Sequence, residues 1–289
     1  MKLVTFTLGD NPRLGLVREN EVIDLTRASQ GHLPTDMLTF LQQGQAALEM
    51  AQDIEQSAAA DLPLAEVKLL APITNPSKVV AIGLNYMDHC REQKVEPPKA
   101  PIIFAKFPSS IIGPGEAIRW NPALTKQVDY EAELAVVMGR TARNVAEAEA
   151  LDYVAGYTIC HDVSARDLQL GDGQWIRGKS LDTFCPLGPY LVTRDEIPNP
   201  HNLAIRCTVN DAVLQNSNTA EMIFRIPYLI AYISRAFTLL PGDVITTGTP
   251  DGVGIFRSPK IFLKGGDVVT VEIEGLGQLI NPCLEEQPV

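Results

Sequence analysis

Glu131 and Glu133 stand two residues apart in Val128-Asp-Tyr-Glu-Ala-Glu-Leu-Ala-Val-Val-Met138. The segment reads as a strand that runs into an apolar core. Alternate side chains of a strand share a face, so the two carboxylates are expected side by side. Like charges at that spacing repel, and burial adds a desolvation cost. A bound hard cation would relieve both, and an all-oxygen ligand set favours Mg²⁺, Mn²⁺ or Ca²⁺ over zinc. A solvated strand face carries the same Glu-x-Glu pattern. Two observations favour burial: the continuation Leu-Ala-Val-Val-Met is apolar on both faces, and a further acid, Asp162, follows another apolar run, Val154 to Cys160.

Three other groups have types and spacings that suit chemistry. His89 and Glu92 lie three apart in a predicted helix, where they share a face. A carboxylate beside an imidazole orients it as a general base for water. A surface pair has the same spacing, and Asp88 could serve there as a purely structural helix cap. Lys179 sits among Gly178, Ser180 and an apolar, proline-containing continuation, which predicts partial burial and an anionic partner. The segment Gly173-Gln-Trp-Ile-Arg-Gly-Lys-Ser180 also matches the phosphate-loop pattern G-x-x-x-x-G-K-S. That pattern needs a preceding core strand and a following long helix, and neither is predicted here. Thr246-Thr-Gly-Thr-Pro-Asp-Gly-Val-Gly254 follows an apolar strand. Its backbone N–H groups and hydroxyls could cradle a carboxylate or phosphate, and a tight glycine-rich turn is the alternative.

The elements that must hold these groups are mostly short strands. Residues 2–8 and 14–25 read as strands with a turn at 19–21, and residues 36–58 as a helix broken near Gly44. The two-proline run Ala71 to Ser77 is a linker. We therefore expect an N-terminal α+β domain over 1–70, a linker over 71–78 and a catalytic domain over 79–289. In the second part, strands are expected at 78–84, 102–107, 131–138, 154–160, 190–192, 204–209, 243–247 and 267–273, and a short helix at 87–94. Asn144 to Glu147 and Asn218 to Glu221 carry capping-box patterns for helices. Pro227 is expected to start the longer helix that runs towards Leu240. Regular strand–helix alternation is absent, which argues against a Rossmann fold or an eight-unit barrel.

Bulk properties exclude several classes. The 289-residue chain carries a net charge of −11 and a pI of about 4.9, so nucleic acid is not an expected partner. Five scattered cysteines without C-x-x-C spacing argue against a disulfide framework or structural zinc. The first residues lack a signal-peptide layout, and the apolar stretch Ile226 to Leu240 is too short to span a bilayer. A cytoplasmic protein without membrane attachment is the expectation.

Four segments in order resemble the fumarylacetoacetate hydrolase family. They are Val128-Asp-Tyr-Glu-Ala-Glu-Leu134, His161-Asp-Val-Ser-Ala-Arg-Asp167, Arg177-Gly-Lys-Ser-Leu-Asp-Thr-Phe-Cys-Pro-Leu-Gly-Pro189 and Thr247-Gly-Thr-Pro-Asp-Gly-Val-Gly254. The likeness covers about residues 70–283, and the N-terminal part is similar to the small domain of longer bacterial members. The resemblance implies an α+β fold, a strand-rich mixed sandwich or roll, around Mg²⁺ or Mn²⁺, and a homodimer. It implies Glu131, Glu133 and Asp162 as metal ligands, Lys179 as the active-site lysine and Thr249, with Gly248, as a holder of substrate carboxylate. Lys106 and Gln169 match weaker lid or substrate positions. His89 and Glu92 match the dyad of members that cleave carbon–carbon bonds with water. The expected activity is therefore hydrolysis of an acylpyruvate-type 2-oxo acid such as fumarylpyruvate or acetylpyruvate. The alternatives are decarboxylation of oxaloacetate and isomerisation or tautomerisation of a 2-oxo or hydroxymuconate-type acid.

Overall fold

A computed structural model describes residues 1–9, 11–60 and 62–286. The fold is α+β and dominated by two mixed sheets. The larger has twelve strands, and its central path runs Lys2–Thr7, Cys185–Thr193, Val154–His161, Ala132–Met138, Val244–Thr246, Val79–Gly83 and Ile102–Lys106. Most neighbours are antiparallel, but Val244–Thr246 pairs in parallel with Val79–Gly83. Ala132–Met138 is buried at every position, because it lies between strands and is covered on both faces. The smaller sheet has five strands, Ala212–Asn218, Ala204–Val209, Val268–Ile273, Gly277–Glu285 and Ile118–Trp120. Its apolar face packs into one core with Leu134, Val136 and Met138 of the large sheet.

The strands at 2–7, 13–18 and 21–24 and the helices at 37–43 and 45–57 follow the sequence reading, with Gly44 at φ 68° as the hinge between helices. The N-terminal strands join the large sheet: Leu3 pairs with Leu191. The N-terminal helices share a core with Ala135, Val137 and Leu187. The prolines set off 71–78, while hydrogen bonding and apolar packing continue past it.

Helix Ile226–Ala236 begins with Pro227 in its first turn, as expected. The two capping-box patterns behave differently. Asn218 accepts the Ala220 N–H, but only over a 3₁₀ turn, Thr219–Glu221. Asn144 takes φ 52° and caps nothing; the 3₁₀ stretch Glu147–Tyr153 follows Ala146. Three strands of the smaller sheet lie outside the expected set: Ile118–Trp120 is only three residues long, and Ala212–Asn218 and Gly277–Glu285 lie partly at the surface, which weakens their apolar alternation. The phosphate-loop look-alike forms no strand–loop–helix. It spans the link from helix Arg166–Gly171 to the single turn Ile176–Lys179, with no long helix after it. All five cysteines are buried free thiols.

Candidate active site

The three acids come together where two central strands begin and end. Ala132 pairs with His161, and one step beyond it the Asp162 N–H donates to the Glu131 carbonyl at 3.0 Å. This backbone pairing fixes Glu131 beside Asp162, and Glu133 follows two residues along on the same face. Ligand oxygens of Glu131, Glu133 and Asp162 all lie within 4.8 Å of one another. All three side chains are buried, Asp162 completely.

Their compensation is uneven. Lys179 Nζ donates to Glu131 Oε2 at 2.6 Å and to Asp162 Oδ2 at 2.7 Å. Lys106 Nζ donates to Asp162 Oδ1 at 2.6 Å and also to the carbonyls of Val163 and Lys179. Arg166 pairs with Glu131 Oε1 at 2.6 Å and with Asp129 Oδ2 at 2.8 Å. Among the described residues no basic side chain forms an ion pair with Glu133, although the Lys179 charge acts on it; the Gly248 N–H donates to its Oε2 at 3.0 Å. Burial pushes the Glu133 carboxyl well up, and the Asp162 and Glu131 charges push it further. Burial acts on Glu131 in the same sense, but Lys179 and Arg166 outweigh it and hold that carboxyl well below the usual range. Lys179 is itself disfavoured by burial, yet Asp162 and Glu131 keep it firmly cationic.

Four buried carboxylates (Asp129, Glu131, Glu133, Asp162) thus face three cations (Lys106, Arg166, Lys179). With all four ionised one negative charge would be left over, and burial with the Asp162 and Glu131 charges favours relieving it by protonation of Glu133. A divalent cation held by Glu131, Glu133 and Asp162 fits this set on both charge and donor type. It would reverse the local balance to one net positive charge, suited to an anionic ligand.

The cavity in front of the acids measures about 110 Å³. His89, Gln93, Gln169, Lys179 and Thr249 line it with Glu131, Glu133 and Arg166, and the aromatic wall is Phe104, Trp175 and Phe256. Trp175 lies against Phe104 in a T-shaped contact at 5.3 Å. It packs on Gly83, where an added Cβ would come within 2.5 Å of its ring. His89 comes from helix Met87–Gln93, is 6% exposed and holds Glu92 at 2.9 Å from Nδ1 to Oε2. The other Glu92 oxygen accepts the Gly252 N–H at 2.9 Å. The glycine-rich loop therefore positions the dyad. Asp88 does not cap this helix, whose N-cap is Tyr86; it accepts from its neighbour's N–H and from Ser217.

Two sequence assignments land elsewhere than expected. Lys106 stands behind Asp162, fully enclosed and away from the cavity lining. The Gly248 N–H, expected on a substrate carboxylate, is committed to Glu133. Thr249 faces the cavity, and its Oγ1 accepts from Gln215 at 2.9 Å. Gln169 lines the cavity and accepts from Arg166 at 3.0 Å.

Sequence reasoning passed over four residues that organise the site. Arg166 lies inside a segment that had been singled out, and its position four residues after Asp162 was the available signal. Asp129 ties Arg166 to the loop by accepting the N–H groups of Gly254 and Ile255 at 2.7 and 3.0 Å. Gln215, from the smaller sheet, bridges the Ala132 N–H and Thr249. Asn85 clasps Thr247 and Phe224. The last two had no signal in spacing, because their partners are more than 30 residues away.

A sequence model of the fumarylacetoacetate (FAA) hydrolase C-terminal family matches residues 78–283. An oxaloacetate tautomerase of Xenopus laevis, named as mitochondrial, is 52% identical over 290 residues, covering 98% of this chain and 90% of the relative. A fumarylacetoacetate hydrolase from Exiguobacterium antarcticum superimposes with a TM-score of 0.89 at 38% identity, over 99% of this chain and 100% of the other. A maleylpyruvate hydrolase from a Sphingobium species, solved with manganese(II) and pyruvate, does so with a TM-score of 0.80 at 30% identity, over 99% and 100%. A vertebrate protein aligned along nearly the whole chain means the N-terminal likeness is not specific to bacterial members. Its mitochondrial name likewise leaves the cytoplasmic expectation unsupported. Among the described residues, no helix is long and apolar enough to cross a membrane.

Proposed function

The chain belongs to the fumarylacetoacetate hydrolase family, and from that premise we propose that it is a divalent-metal-dependent tautomerase of a small 2-oxo diacid such as oxaloacetate. The observation that carries the reading is Glu133, an acid whose charge burial and its acidic neighbours oppose, among three converging buried acids beside a small cavity that a histidine also lines. The half-identical oxaloacetate tautomerase supports the substrate class. The expectation of acylpyruvate hydrolysis accordingly moves to second place.

Mg²⁺ or Mn²⁺ at Glu131, Glu133 and Asp162 would supply electrostatic stabilisation of negative charge on the 2-oxo and enolate oxygens. Lys179 holds Glu131 and Asp162 in place and adds a second positive charge at the cavity floor. Thr249 and Gln169 offer hydrogen bonds to a substrate carboxylate. Enol-to-keto conversion takes the proton from the 2-hydroxyl and delivers one to C3, with no net gain or loss of atoms. His89 faces the cavity and can carry that proton. Its Nδ1–H is fixed by Glu92, which leaves Nε2 as the exchanging atom. The aromatic wall limits access of water to the developing enolate.

Hydrolysis of an acylpyruvate is the second reading, favoured by the His89–Glu92 contact, since such a dyad suits activation of water. The deciding experiment follows enol absorbance of oxaloacetate with Mg²⁺, Mn²⁺ or chelator, beside acetylpyruvate cleavage under the same conditions. Metal-dependent loss of the enol signal that Glu133→Gln abolishes is expected. Rapid acetylpyruvate cleavage without any tautomerase activity would reverse the order of the two readings.

A further inference from the structure

His89 has both ring nitrogens engaged. Nδ1 faces Glu92 Oε2 at 2.9 Å, and Nε2 faces Gln93 Nε2 at 2.7 Å. A carboxylate can only accept, so the neutral ring carries its proton on Nδ1. Nε2 then presents a lone pair, and the Gln93 amide must turn its NH₂ towards it. Gln93 is the last residue of helix Met87–Gln93, four after His89, so the contact is set by one helical turn. Lys94 follows in the left-handed conformation at φ 56° and ends the helix there. Gln93 lines the cavity beside Glu131, Glu133 and Lys179. On the far side the His89 ring meets Phe256 edge-on at 5.9 Å.

We propose that Gln93 is a positioning residue that selects the reaction: by capping His89 Nε2 it withholds that lone pair from water and biases the site towards tautomerisation over hydrolysis. The inference rests on the reading of this cavity as a 2-oxo acid site. Hydrolysis needs one water molecule. Its hydroxide adds to the acyl carbon, the bond from that carbon to the neighbouring methylene breaks, and the water's other proton ends on the departing carbon. That sequence requires a water within hydrogen-bond distance of Nε2, where the Gln93 amide now sits. Tautomerisation requires no water. The substrate's own exchanging proton can displace the amide, a neutral group at the end of a half-buried side chain.

The test compares the metal-loaded wild-type protein with Gln93→Met and Gln93→Glu, measuring oxaloacetate tautomerisation and acetylpyruvate cleavage on the same preparations. Methionine keeps the length and removes the donor. Glutamate keeps the shape but is an acceptor, which favours a proton on Nε2 and leaves no lone pair for water. In Gln93→Met the ratio of cleavage to tautomerisation is expected to rise at least about tenfold, a part of the roughly 10²–10⁴-fold that a positioned general base supplies. In Gln93→Glu it is expected not to rise. A role limited to helix packing would move both variants alike. Equal ratios in all three proteins, with wild-type tautomerisation intact, would overturn the inference and leave the functional reading standing. Wild-type protein that turns over neither compound would overturn the reading and the inference with it. The ¹⁵N resonance of His89 Nε2 gives an independent readout, since loss of its hydrogen-bond donor in Gln93→Met must shift it.

Discussion

Lys179 Nζ lies 2.6 Å from Glu131 Oε2, with both side chains buried. The same ammonium reaches Asp162, so one cation fixes two of the three converging acids. Removing one partner of a buried pair strands the other charge. Lys179→Met should therefore destabilise the metal-free protein by about 3–5 kcal/mol. Bound Mn²⁺ should recover part of that loss, which thermal melts with and without the ion would reveal. Catalysis should fall by about 10²–10³-fold, the usual cost of losing one such electrostatic group.

Glu133 and Asp162 should respond in opposite directions. Glu133→Gln replaces the acid whose charge is opposed by burial and by Asp162 and Glu131, so the metal-free protein should be at least as stable as the wild type while its affinity for Mn²⁺ drops. Asp162→Asn instead strips partners from Lys106 and Lys179 and should lower the melting temperature. Calorimetric titration beside thermal melts would separate the two effects; a shared sign for both variants would contradict the charge balance described above.

The glycine in the phosphate-loop look-alike has a packing reason. A Cβ at Gly178 would lie 2.5 Å from the Gln169 nitrogen and 2.7 Å from the Ala165 carbonyl oxygen, both backbone atoms that cannot yield. The turn Ile176–Lys179 packs there directly against helix Arg166–Gly171, and this contact sets the depth of Lys179. Gly178→Ala should cost roughly 1–3 kcal/mol by overpacking and displace Lys179. A fall in activity larger than the fall in melting temperature would explain is the expected signature.

His201 supplies a pH-dependent contribution away from the active site. Its Nε2 accepts the Ile226 N–H at 3.1 Å, in the first turn of helix Ile226–Ala236. Burial, reinforced by Arg225, lowers its pKa from 6.5 to about 4. The folded state thus favours the neutral ring, and the linked stability is fully present above the unfolded value. It is lost as pH falls from about 6.5 towards 4, where the unfolded chain binds the extra proton. The side chain is partly solvated, so the effect should be on the order of 1 kcal/mol, comparable to one hydrogen bond. Denaturant melts at about pH 7 and pH 5 should show a smaller loss for His201→Gln than for the wild type.

Much of the site was legible in the chain because it rests on local rules. The i, i+2 spacing placed Glu131 and Glu133 on one face, and the i, i+3 spacing joined His89 to Glu92. The apolar runs beside both acids announced their burial. Strand positions failed mainly at 212–218 and 277–285, where half-exposed residues blur the alternation. The Asn144 cap failed because a 3₁₀ stretch took the place of the expected helix.

By itself the sequence pointed to the three acids that converge, to the buried Lys179 and to the His89–Glu92 contact, and to most of the strands that carry them. Only the tertiary structure decided how these groups divide their charges. It drew Lys106 behind Asp162, set Arg166 between Asp129 and Glu131, turned the Gly248 N–H onto Glu133 and left that carboxylate with no ion-pair partner among the described residues. Side-chain alternation is a property of one strand and can be read along it. Compensation of a buried charge depends on which distant segments the sheet register brings within about 3 Å, and no local spacing encodes that distance.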